Sequence, residues 1–187
     1  HGKTQLGLTM AVSIIKGSNF LEQEAFPCRQ GRVAYITTDD MGLNEVQMKF
    51  KGVDIALDPT EGDDLLHLHF DENVNIVGLS DDVLYKWVEA LQAFEPVVVF
   101  VDVISGTHFL DENKGETPPK VYAAWRKIIG PLPAIVYLMH SRKADREGKD
   151  YLLSSLSGHH GWGDKVSSLL HMSKISHHEG YFMLNFP

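Results

Sequence analysis

Apolar positions fall into two alternating patterns along the chain. Gly2 to Lys16 places Leu6, Met10, Ile14 and Ala11, Ile15 at helical spacing and stops at Gly17, which predicts a first helix. Arg32 to Thr37, RVAYIT, is short, β-branched and aromatic, and predicts a buried strand. Leu43 to Phe50 predicts a short helix, and Asn73 to Leu79 a strand. Ser80 precedes a helical pattern running to Phe94, with Asp81 and Asp82 in its first turn, where the helix dipole favours acids. Pro96 ends it. Val97 to Val103, VVVFVDV, is almost continuously apolar, the mark of a central parallel strand covered on both faces.

A loop from Ser105 leads to a helix over Pro119 to Ile129, with Val121, Ala124, Trp125 and Ile128 on one side. Pro133 to Met139 predicts another buried strand. Lys165 to Lys174 and Tyr181 to Phe186 predict two late strands. Strands separated by helices imply an α/β fold around a mostly parallel sheet, in one domain spanning residues 1–187. Trp87 and Trp125 belong to the core on this pattern. Trp162, between two glycines, is expected at the surface.

Composition narrows the classes. The chain has 187 residues, 43% of them apolar, enough to bury a core. No apolar run reaches the length of a membrane span, and no secretory signal is present. The single cysteine, Cys28, excludes an internal disulfide and fits a reducing, cytoplasmic setting. A formal charge of −8 argues against a surface devoted to neutralising phosphates, so any contact with nucleic acid must be local. The dense basic run Ser141 to Lys149 is the one place for it, and also reads as an ordinary solvated loop.

Ligands in parallel α/β sheets sit at the carboxyl ends of the strands, so the polar residues there are the candidates. Gly2-Lys3-Thr4 at a helix start matches the last half of G-x-x-x-x-G-K-[ST]; the strand and leading glycine would lie upstream of His1. In that reading backbone N–H groups cradle phosphate, Lys3 neutralises it, and Thr4 offers a hydroxyl to Mg²⁺. Asp102 ends the apolar strand and is the candidate second Mg²⁺ ligand. Asp39, after RVAYITT, is placed to activate water, with Asp40 poised to cap the next helix. His140 ends PAIVYLM and is a candidate γ-phosphate or water contact, with Ser141 a weaker one. Each of these residues also has an ordinary role as a cap or loop residue; their order along the chain is what joins them.

Ten histidines raise a metal reading. His67-Leu68-His69 would place two imidazoles on one face of a strand. His159-His160 and His177-His178 are adjacent pairs whose side chains point apart. No cysteine or carboxylate stands at ligand spacing with any of them, which argues against structural zinc. Asp58 to Asp64 reads as an acidic turn and lacks a calcium-loop pattern.

The stretches GKTQLGLTMAVSIIKG, RVAYITTDD, VVVFVDVISGTHFLDEN, AIVYLMHSRK and, more loosely, GHHGWGDKVSSLLHMSK together resemble the RecA-like hexameric helicase ATPases of the RepA type, a plasmid and phage replicative group. Asp111-Glu112-Asn113 matches a stretch common in that family. Asp39-Asp40 stands where the family usually has Glu-Asp, and Met139-His140 where it often has two histidines. The resemblance implies a RecA-like three-layer P-loop NTPase core. It implies ATP and Mg²⁺ as ligands, with hydrolysis at subunit boundaries of a homo-oligomeric ring such as a hexamer. Arg142, Lys143 and Lys174 are the candidates for a basic residue reaching a neighbour's phosphates. A loop from about Asp145 to His160, with Lys149 and Tyr151, would meet single-stranded DNA. The alternative function is a weakly catalytic or non-catalytic nucleotide-binding switch; a recombinase or circadian-type regulator on the same core is a third.

Overall fold

The computed structural model describes residues 2–38, 48 and 49, 64–71, 75–140, 160–164, 166–168, 170–174 and 182–185. Four strands, β1 (Val33–Thr37), β2 (Leu65–His69), β3 (Val98–Asp102) and β4 (Ala134–Leu138), form one sheet in the order β2-β1-β3-β4. Every pairing in it is parallel. The central strands β1 and β3 are buried at every position, as continuous apolar runs require when both faces are covered.

Alternation along the strands builds two cores. Val33, Tyr35, Val98 and Phe100 face α1 (Lys3–Lys16) and pack with Leu8, Ala11, Val103 and Leu138. Ala34, Ile36, Val99 and Val101 face the other way, onto Leu91 of α2 (Asp81–Phe94) and Val121, Trp125 and Ile128 of α3 (Thr117–Ile129). Helices therefore cover both faces, and the fold is a three-layer α/β sandwich. Two more strands, β5 (His171–Lys174) and β6 (Phe182–Asn185), pair antiparallel as a separate ribbon. The chain's strands are thus mostly parallel.

Helix ends follow local chemistry. α1 closes at Gly17, whose left-handed φ of 64° lets its N–H reach Ile14 O while Ser18 N–H reaches Ser13 O. α3 begins two residues before the expected Pro119, with Pro118 and Pro119 in its first turn, where a missing N–H costs nothing.

Two expectations need correction. Ile76–Gly78 is a single 3₁₀ turn where a strand was expected, because Asn75 Oδ1 takes the Val77 N–H at 3.1 Å and folds the backbone back. The strand beside β1 is instead Leu65–His69. The first late strand covers His171–Lys174 alone. Of the expected helix over Leu43 to Phe50, Met48 and Lys49 are helical; the rest lies outside the described residues.

Candidate functional site

Asp102 sits at the carboxyl end of β3, level with Thr37 of β1 and Leu138 of β4. By alternation it shares the α1 face with Phe100. The carboxylate is buried, at 3% exposure, and its Oδ2 accepts a 2.9 Å hydrogen bond from the Tyr35 hydroxyl. Tyr35 is itself buried and stacked on Phe100, with ring centroids 5.3 Å apart. Burial, then the charge of Asp102 and the bond to it, raise the Tyr35 pKa well above its ordinary value, so the phenol stays a donor. The second carboxylate oxygen, Oδ1, is not taken by Tyr35 and is also buried. An oxygen donor at the carboxyl end of the sheet is what a hard divalent cation requires.

The backbone beyond Asp102 is held by Thr38. Its N–H donates to Asp102 O at 2.9 Å. Its hydroxyl donates to Val103 O at 2.9 Å and accepts from Val103 N–H at 3.0 Å. Gly106 makes this possible, since a Cβ there would lie 2.5 Å from Thr38 Oγ1. The Asp102–Val103 peptide is cis.

The α1 start reaches the same end of the sheet. Gly2 precedes it with a φ of 114°, and the first rung of the helix is Leu6 N–H to Gly2 O. The N–H groups before Leu6 lie outside the helix's own ladder, and no acidic residue stands in the first turn. Lys3 Nζ lies 3.0 Å from His140 Nδ1, two residues beyond β4. An ammonium only donates, so His140 meets it with an unprotonated Nδ1. Gly7, one turn along, lets α1 approach the sheet: a Cβ there would lie 2.9 Å from Tyr35 Oη and 3.2 Å from Leu138 Cδ2.

The structure therefore brings Lys3 and His140 into contact, with Thr4 in the same first turn and Asp102 at the same end and on the same face of the sheet. Lys174 ends β5 in the separate ribbon, paired with Phe182. Asp39, Asp40, Ser141, Arg142, Lys143 and the basic loop lie outside the described residues.

Sequence reasoning missed Tyr35, Thr38 and the two glycines. A tyrosine inside an apolar strand was the available signal, because a buried hydroxyl needs a partner. It also missed His108 in the segment after β3. His108 is buried and stacked on Trp162, centroids 5.7 Å apart. Burial lowers the His108 pKa, with Glu112 and the Leu110 backbone acting the other way. Trp162 is 1% exposed, against the expectation of a surface position. Its Nε1 donates to Glu112 O at 3.4 Å and its carbonyl accepts from Tyr122 at 2.7 Å. Asp111-Glu112-Asn113 forms a turn before α3, with Asp111 O accepting from Thr117 Oγ1 at 2.7 Å.

A family model described as an AAA domain matches residues 1–146. The chain belongs to the AAA domain family. The match covers α1 and all four strands of the parallel sheet. No curated protein matches the chain. The AAA domain is a P-loop ATPase type, and its members generally bind nucleotide with Mg²⁺. Among the described residues of this AAA domain no three His, Cys, Asp or Glu side chains are grouped to hold a metal. No described helix is long and apolar enough to cross a membrane.

Proposed function

We infer that this AAA domain binds Mg·ATP at the α1 start and hydrolyses it, as the motor of a replicative-type DNA helicase. The contact between Lys3 and His140 at the carboxyl end of the sheet, beside Asp102, is the observation that supports this most. The N–H groups at Gly2, Lys3 and Thr4 and the positive helix end favour phosphate oxygens there. The Lys3 ammonium faces the same phosphates, and His140 fixes its direction. Thr4 and Asp102 are the residues that would hold magnesium, which supplies charge neutralisation at the phosphates when bound. Tyr35 and Thr38 hold Asp102 in place from below.

Asp39 takes the role of water activation, with His140 as the alternative that positions the water. Catalysis then comes mainly from positioning and from fixed charge. Arg142, Lys143 or Lys174 of one protomer would reach the phosphates of the next in a ring, and the loop from about Asp145 to His160 would touch single-stranded DNA. The RepA-type resemblance supports this part.

A switch that binds nucleotide and turns it over slowly is the second reading. Asp39 in place of the longer Glu favours it, since the shorter side chain leaves water farther from the carboxylate. ATP turnover by a chain extended upstream of His1 separates the two. The motor reading expects hydrolysis that single-stranded DNA stimulates and that Lys3→Ala lowers by roughly 100-fold or more. Intact turnover in Lys3→Ala overturns the site. Unchanged nucleotide affinity with no DNA stimulation supports the switch.

A further inference from the structure

Among the described residues β2 lies at the edge of the sheet, and its LLHLH sequence places His67 and His69 on one face, two residues apart. His67 pairs with Tyr35 and His69 with Thr37. Both rings turn toward a single atom. Thr37 Oγ1 lies 3.0 Å from His67 Nε2 and 3.5 Å from His69 Nδ1. A threonine hydroxyl can donate to one of these nitrogens and accept from the N–H of the other, so the two contacts hold both rings on one atom. Thr37 is buried, His67 is half-buried and His69 is exposed, so the pair runs from the sheet interior to the surface. Two imidazole nitrogens aimed at one point from an i, i+2 pair on a strand are a bidentate chelate.

We propose that His67 and His69 bind a divalent transition metal of the zinc and nickel class at this point beside Thr37. Imidazole suits zinc, nickel and copper, whereas magnesium prefers oxygen. Asp102 is the register partner of Thr37 on the next strand, β3, and does not group with the two histidines as a third ligand. No third His, Cys, Asp or Glu among the described residues completes the group. Water and the Thr37 hydroxyl would therefore fill the other positions, giving an exchangeable site that a chelator empties.

The test is calorimetric titration of chelator-stripped protein at pH 7.5 with Zn²⁺ and, separately, Ni²⁺. The expected result is one binding equivalent, weakened by more than about tenfold in His69→Ala and in His67→Gln, and unchanged in His178→Ala. Far-UV circular dichroism checks that each variant folds. Should His67→Gln fail to fold, His69→Ala decides alone, because that side chain is exposed. No binding by the unaltered protein, or binding that survives loss of His69, overturns the site.

Discussion

The Tyr35 hydroxyl donates to Asp102 Oδ2 at 2.9 Å, from one central strand to the next. Both residues are almost fully buried, so the bond offsets part of the cost of placing a carboxylate there. Tyr35→Phe removes the donor and leaves the charge in place. The expected loss is about 1.5–3 kcal/mol of stability, the range for hydrogen bonds to charged groups. Urea denaturation measures it, and a loss near zero would mean that Asp102 does not depend on Tyr35.

Gly7 tests how closely α1 lies on that pair. An alanine in mid-helix ordinarily gains about 1 kcal/mol over glycine. Here the added Cβ would lie 2.9 Å from Tyr35 Oη, and overpacking costs about 1–3 kcal/mol. Gly7→Ala is therefore expected to destabilise. In a Tyr35→Phe background the hydroxyl is gone, and the same substitution is expected to cost less. A stabilised Gly7→Ala protein would show that the helix stands off from the sheet.

Much of this arrangement was legible in the chain. RVAYIT, VVVFVDV and PAIVYLM become β1, β3 and β4 with small shifts at their ends, because long apolar runs bounded by Pro or polar residues have few other ways to fold. Asp102 and His140 could be placed at strand ends for the same reason. β2 was harder, since His67 and His69 break the apolar run, and both find Thr37, about 30 residues away. The bond from Tyr35 to Asp102 spans 67 residues, and strand order, which periodicity does not encode, decides it. Trp162 looked exposed because glycines flank it, yet its partners His108, Glu112 and Tyr122 come from distant segments.

Acid should weaken the fold before carboxylates are involved. Burial lowers the pKa of His108, and burial followed by His69 lowers that of His67, both from an ordinary value of 6.5. The unfolded chain then binds more protons than the folded one between the folded values and 6.5. Stability from these groups is complete above pH 6.5 and is lost as pH falls through that window. Thermal unfolding from pH 7.5 to pH 5, in chelator-containing buffer, should show the decline. His108→Phe keeps a ring against Trp162 and removes one titration, so its decline should be shallower. An identical pH profile in that variant would assign the effect elsewhere.

Trp162 asks whether the segment after the loop belongs to the cooperative core. Its ring lies against His108 and packs edge-on to Tyr122, with centroids 5.4 Å apart, while Tyr122 lies tilted against Tyr137 of β4 at 4.9 Å. This chain of rings ties the turn after β3 and the start of α3 to β4 of the parallel sheet. Trp162→Ala opens a large cavity and strips the cover from His108, whose ring would then meet water. The expected cost is about 3–5 kcal/mol, together with a rise of the His108 pKa toward its ordinary value as burial is relieved. Urea denaturation reads the first and imidazole NMR titration the second. A cost below about 1 kcal/mol with an unmoved His108 would mean that residues 160–162 lie on the domain without being part of its core.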